Sequence, residues 1–367
     1  MRIGILTHYD VNNQGAQLQM YALANKVKEL GHEPIILTYN KNFDFAEDKK
    51  FKYQPSIKSI PIYINDYLLK MGLKSAIHNY EKLKLNKKFR KENFKFQNYV
   101  NSDIDMAIVG SDEVFSIQVG INIMMYGYAV NTKKMISYAP SFGQTNIELL
   151  ENKHVKSLVA NGLKNFVALS SRDENTYQMI EKLTGRTPKM VCDPAILYDF
   201  KKEEIENTIK IPKKDYMVIY AYDHNMTDKN EIEAIKKYAK ENNLQIISPG
   251  TYHKWCDKNI SCNALQWVEI IKNAKCVVTD TFHGTIVSTI TNVPMAVLIR
   301  NTLNSNKMTD LLKKLGIEDR QLNLINIKEL NRVFENKINF ENINHNIYKL
   351  RESSSEYLRK AISECEE

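Results

Sequence analysis

Two stretches of this chain alternate strand and helix, and that alternation leaves few folds open. IGILTHYD begins as a buried strand, Asn12-Asn13-Gln14-Gly15 turns, Ala16 to Leu30 has helical periodicity ended by Gly31-His32, and PIILTY is the next strand. Neighbouring parallel strands need a crossover, so a β-α-β unit dictates a parallel sheet. MAIVG (106–110) and KMISYAP (134–140) read as further buried strands, and Arg172 to Leu183 as a helix before the strand KMVCD. The pattern restarts at YMVIYAY. Helices are predicted at Lys229 to Asn242, Ala264 to Asn273, from Gly284, and at Met308 to Leu315, with strands LQIISP, KCVVTD and MAVLI among them. Between the two runs, Phe200 to Pro212 is charged, aperiodic and closed by proline, and reads as a linker. A chain of 367 residues exceeds what one core organises. The expected fold class is therefore α/β, with two parallel-sheet domains facing a cleft at the carboxyl ends of their strands, the default active site.

The formal charge of +8 is localised. Residues 41 to 100 hold 14 Lys or Arg against 6 Asp or Glu, and outside them basic and acidic residues balance at 37 each. Dispersed lysine favours a solvated helix pair over the functional alternative, a surface for an acidic partner such as a lipid headgroup, a diphosphate-linked glycan or nucleic acid. Met1 to Thr7 enters a strand without a secretory signal, so the protein is expected inside the cell. Five scattered cysteines without a C-x-x-C pair indicate reduced, inert thiols. The dinucleotide and P-loop signatures and H-E-x-x-H are absent, so no cofactor and no metal is expected. Asp103-Ile104-Asp105 precedes a strand instead of following one, and reads as a capping turn.

Four polar turns follow predicted strands: Asn12 to Gly15, Gly110-Ser111-Asp112-Glu113, Ser170-Ser171-Arg172-Asp173-Glu174, and Thr279-Asp280-Thr281-Phe282-His283-Gly284-Thr285. Each offers hydroxyls or backbone N–H groups at a helix start, where an anion is favoured. Ser111, Ser171 and Thr281 would serve as caps in any α/β protein. Arg172 and His283 are not cap residues, and their presence in such turns points to an anion site.

NNQGAQLQMYAL, DIDMAIVGSDEV, SYAPSFG, SSRDENTYQMIEKLTG, MVCDPAIL and above all AKCVVTDTFHGTIVSTI resemble, in order, the motifs of the polysaccharide pyruvyl transferase family. The resemblance implies two Rossmann-like domains arranged as in glycosyltransferases of the B type. They would span 1–205 on the acceptor side and 206–344 on the donor side, with a tail at 345–367 crossing back to the first domain. It also implies a phosphoenolpyruvate donor and a glycan or lipid-linked saccharide acceptor; the basic segment 41–100, read as a functional surface, would make peripheral contact with an anionic membrane surface, and no nucleic acid is expected. Arg172 and His283 fall at positions tied in that family to donor binding and catalysis. Two positions depart from the family pattern: Glu113 stands where glutamine is usual, and Lys307 where arginine is common.

Phosphoenolpyruvate carries a carboxylate and a phosphate, so its site needs concentrated cations. Arg172 suits one group as a bidentate fork, and the Phe282-His283-Gly284 turn suits the other. His283 is the expected acid, with His8 as runner-up. Asp112, Glu113, Asp173 and Asp280 are candidate bases for the acceptor hydroxyl, Asp112 first. Asn13, Gly15, Ser111, Ser171, Asp280, Thr281, Gly284, Thr285 and Lys307 complete the expected substrate contacts. A nucleotide-sugar glycosyltransferase of the same fold and a silent glycan-binding protein are the alternatives.

Overall fold

A computed structural model describes residues 1–46, 72–200, 203, 209, 211–222, 225–300 and 305–366. Its first sheet is built from β1 (Arg2–Leu6), β2 (Glu33–Thr38), β3 (Phe96–Asn98), β4 (Met106–Val109) and β5 (Met135–Ser137), in the order β3-β2-β1-β4-β5. A two-stranded extension, β6 (Ser170–Ser171) with β7 (Lys189–Met190), follows through an isolated bridge from Ile136 to Ala168. The second sheet holds β8 (Tyr216–Tyr220), β9 (Gln245–Pro249), β10 (Lys258–Ile260), β11 (Cys276–Thr279), β12 (Met295–Leu298) and β13 (Gln321–Leu322), ordered β10-β9-β8-β11-β12-β13. Every pairing is parallel. Helices cover both faces of such sheets, which is why β4, β8, β11 and β12 are buried along their whole length.

Each half is a Rossmann-like parallel sheet, and the two face each other across a cleft. One apolar cluster runs between them, joining Ile3 and Ile5 to Tyr216, Trp267 and Ile286. The predicted linker, 200–212, falls largely outside the described residues, so the division at 205/206 is a proposal, supported by one sheet on each side. No described helix is long and apolar enough to cross a membrane. All five cysteines are free and buried, and burial pushes the Cys192 thiol up to about 11 and Cys262 and Cys276 up to about 12.

Three elements differ from their sequence expectation. Arg172 precedes its helix, which spans Glu174–Thr184 behind an Asp173 cap accepting from Thr176 N at 2.8 Å. The tail belongs to one long helix, Phe340–Ser363, which begins before the expected boundary at 345. It lies across the first half through polar contacts as well as apolar ones. Cys192 N donates to Ser354 Oγ at 2.9 Å, Arg351 Nε to Ile196 O at 2.6 Å, and Tyr357 Oη to Ser137 O at 2.8 Å.

The third element is the basic segment, of which 47–71 lie outside the described residues. The helix Leu73–Asn93 buries Ser75, His78, Lys82, Asn86 and Phe89, a stripe at helical spacing made almost wholly of polar side chains. Lys82 Nζ donates to Gly250 O at 3.0 Å, and Ser261 Oγ stands 3.1 Å from His78 Nδ1, so this helix bridges to the second half. A fully solvated helix face is thereby corrected: apolar periodicity could not reveal an interface made by polar groups.

Candidate active site

The cleft closes on a cavity of about 260 Å³ lined from the first half by His8, Asn13, Asp112, Glu113 and Arg172, and from the second by Tyr222, Thr281, Phe282, His283 and Lys307. Its first wall is set by the turn after β4. Gly110 has φ of +133°, and a Cβ there would collide with the Tyr138 carbonyl, so the chain passes only as glycine. The turn then presents Asp112 at φ of +76°. Ser111 is fully buried, its hydroxyl 3.1 Å from Ala139 O and 3.3 Å from Asp193 Oδ2.

Arg172 lies beneath this turn. Nη1 donates to Asp193 Oδ2 at 2.8 Å, Nη2 to Asp112 Oδ1 at 3.2 Å, and the guanidinium carbon stands 4.8 Å from the Phe282 ring centre. Lys314 Nζ, from the helix Ser305–Leu315, holds the Arg172 carbonyl at 3.0 Å. The expectation of one open fork for one anion is corrected: in this state the two terminal nitrogens are divided between two carboxylates.

The second wall is the start of the helix Phe282–Ile290. Thr281 Oγ1 accepts from Gly284 N, and Thr285 Oγ1 donates to Thr281 O, both at 3.0 Å. Both groups are consumed by capping, so neither Gly284 N nor the Thr285 hydroxyl reaches the cavity, as a substrate contact would. His283 rests on Gly15: a Cβ at position 15 would stand 2.5 Å from the imidazole, so that glycine serves close approach of the two halves instead of touching substrate. Ser111 and Ser171 are buried behind the wall, Ser171 with its hydroxyl toward Met190 Sδ. Asp280 also lies outside the lining, its Oδ2 accepting from Asn225 Nδ2 at 2.6 Å and its Oδ1 buried without a partner. Asn13 does line the cavity while capping Ala16 N at 3.0 Å. Among the described residues no three His, Cys, Asp or Glu side chains gather as a metal site.

Electrostatics separate these groups. Burial would raise the Asp112 carboxyl, but Arg172, His283, His8 and Lys307 outweigh it and hold the group well below the usual carboxylate range. Burial pushes His283 down, assisted by Arg172 and Lys307 and opposed by Asp193 and Asp112. Burial with Lys41 does the same to His8, whose Nδ1 lies 3.3 Å from Tyr39 Oη. His283, flanked by Arg172 and Lys307, is thus poised to gain a proton when an anion engages those cations, while His8 is held neutral. The two positions that depart from the family pattern meet: Lys307 Nζ donates to Glu113 Oε1 at 2.7 Å across the cleft.

Sequence reading missed Asp193. It is 2% exposed and touches Arg172, Ser111 and the backbone N–H of Ala195, with His283 Nε2 at 3.8 Å. It lies in the family motif MVCDPAIL, but Asp-Pro at a helix start reads locally as a cap, and the cap is present.

The family model for polysaccharide pyruvyl transferase matches residues 13–302. No curated protein matches the sequence. Among solved structures, a UDP-GlcNAc 2-epimerase from Neisseria meningitidis bound to UDP-GlcNAc aligns at TM-score 0.54 and 10% identity, covering 99% of this chain and 100% of that one. A putative UDP-N-acetylglucosamine 2-epimerase from Listeria monocytogenes aligns at 0.53 and 13%, covering 97% and 94%. The S. aureus MnaA structure with UDP aligns at 0.51 and 12%, with the same coverage of 97% and 94%. At these identities the likeness concerns the fold alone.

Proposed function

The chain belongs to the polysaccharide pyruvyl transferase family, and from that premise we propose that it moves a pyruvyl group from phosphoenolpyruvate onto two hydroxyls of a glycan or its lipid-linked precursor, closing a ketal and releasing phosphate. The observation that carries this reading is the meeting of Arg172, His283 and Lys307 in one small cavity between the halves. A donor with close to three negative charges would exchange with Asp112 and Glu113 for the edges of Arg172 and Lys307. It would also draw a proton onto His283.

The chemistry balances with three proton transfers. His283 gives a proton to the donor methylene while the first glycan hydroxyl oxygen bonds to the enol carbon and surrenders its own proton to a base. The second hydroxyl then displaces phosphate, and its proton leaves with that group. Asp112, held ionised by its cations, is a weak base and suits the holding of Arg172. His8, kept neutral at the first-half wall, suits the base better. A nucleotide sugar is the alternative donor. The volume supports the smaller one, since about 260 Å³ lies below the roughly 300–1,000 Å³ usual for drug-sized ligands. The protein is expected in the cytoplasm, peripheral at the membrane face where lipid-linked glycans are built.

Incubation with phosphoenolpyruvate and lipid-linked glycans should release phosphate and add pyruvyl mass to the glycan. His283→Gln should lower turnover by about 10²- to 10⁴-fold, the range of a lost general acid. Thermal protection by nucleotide sugars, with none by phosphoenolpyruvate, would overturn the donor assignment.

A further inference from the structure

We propose that Asp193 is the positioning residue of this site, one carboxylate that fixes both the place of the Arg172 guanidinium and the proton-bearing edge of His283. The inference rests on the pyruvyl transfer reading for its consequence in turnover, but not for its geometry.

The two oxygens of Asp193 divide the work. Oδ2 accepts from Arg172 Nη1 at 2.8 Å, with the Ser111 hydroxyl at 3.3 Å. Oδ1 accepts from Ala195 N at 2.9 Å and faces His283 Nε2 at 3.8 Å. The Ala195 contact anchors the carboxylate to the backbone, so the group stays put whatever the cleft does. His283 Nε2 is buried and has no hydrogen-bond partner in this state. A buried ring nitrogen without a partner costs stability in the free protein, and pairing it on occupation would recover that cost. Its separation from Oδ1 exceeds a hydrogen bond by only a few tenths of an ångström, and catalytic contacts are often long in the free enzyme and tighten on closure. Asp193 stands in the first half and His283 in the second, so this gap spans the junction of the two.

The other charges facing His283 are Asp112, Arg172 and Lys307, with Gly15 packed against the ring and the Phe282 ring at 5.6 Å. Asp112 is engaged by Arg172, and the two cations oppose protonation. Asp193 heads the groups that favour the imidazolium, although burial acts more strongly the other way. An imidazolium paired with Asp193 through Nε2 leaves Nδ1 to face ligand, and ring orientation is what such a carboxylate supplies.

Two variants test this. Asp193→Asn keeps the size and one capping oxygen, and Asp193→Ser keeps a hydroxyl cap for Ala195 N while removing the charge. The titration of His283, followed by NMR of labelled imidazole in the ligand-free full chain, should move to lower pH by at least about one unit in whichever variant folds. With phosphoenolpyruvate, kcat should fall about a hundredfold or more, and the limb of its pH profile that reports His283 should move the same way. An unchanged His283 midpoint in a folded variant overturns the proposal. A parent without phosphoenolpyruvate turnover defeats the functional reading instead, and leaves the NMR outcome to decide on Asp193.

Discussion

Asp112 and Asp280 stand at matching places in the two halves. Each follows the strand that flanks the first strand of its sheet, β4 beside β1 and β11 beside β8, so both carboxyls emerge at carboxyl ends that face the cleft. Their surroundings drive them apart. Asp112 meets Arg172, with His283, His8 and Lys307 near, and is pulled far down despite burial. Asp280 is pushed up by burial, and its hydrogen bond from Asn225 and the more distant Arg300 do not offset this. The same residue type at the same topological place thus becomes a carboxyl held ionised in one half and one that keeps its proton more readily than usual in the other. Position in the fold supplies the opening, and the neighbours supply the chemistry.

The strongest way to break the comparison is to remove the cation that creates it. Arg172→Met would leave two carboxylates facing each other in a nearly dry site, and a stability loss of about 3–5 kcal/mol is expected at pH 7 by urea unfolding. Without Arg172 the Asp112 carboxyl becomes easier to protonate, so the deficit should shrink as pH falls. A deficit constant from pH 8 to 4 would mean that Asp112 does not owe its state to Arg172.

Arg172→Lys keeps the charge and loses the divided geometry. Turnover should drop on the order of a hundredfold, because misplacing a reacting group by about 1 Å has that effect, while the fold persists. Parent-like phosphate release would remove Arg172 from the mechanism. Asp112→Asn comes next, weakening one charged hydrogen bond at a cost of about 1.5–3 kcal/mol. The stabilisation from a depressed carboxyl is present above its unfolded pKa and lost only as pH falls through the folded one. The gap between parent and variant should therefore persist from pH 8 to about pH 4, measured by thermal midpoints.

Asp280→Asn should have the smallest effect, with the opposite sign. A raised carboxyl destabilises the fold when ionised, a cost that grows as pH rises through its folded pKa and vanishes below the unfolded one. The variant keeps an acceptor for Asn225 and should melt about 2 °C or less above the parent at pH 8, with no gap in acid. Destabilisation at pH 8 would mean that Asp280 is used as an anion, and would collapse the contrast with Asp112.

Much of this arrangement was legible in the sequence. Parallel sheets follow from crossovers, and the cleft from strand ends, while Arg172 and His283 stood out because neither caps a helix. Asp193 was hidden because its local role as a cap is real and sufficient, and its convergence with residues 21 and 90 positions away exists only in space. The pairing of Glu113 with Lys307 was hidden for the same reason, 194 positions apart. Helices were expected in the basic segment, but the buried face of helix Leu73–Asn93 escaped through chemistry: it carries His78, Lys82 and Asn86, which hydropathy counts as solvent-facing.

The last long helix has a consequence for the order in which the molecule comes into being. Ser354, Arg351 and Tyr357 satisfy backbone groups at Cys192, Ile196 and Ser137, on the half made first. Cys192 waits through 162 further positions for Ser354. At about 5–20 residues per second, that is roughly 8 to 32 s during which the emerging half exposes the groove its closing helix will fill. The nascent chain must stay unaggregated over that interval, and a ribosome that stalls before residue 340 releases a first half without its final brace.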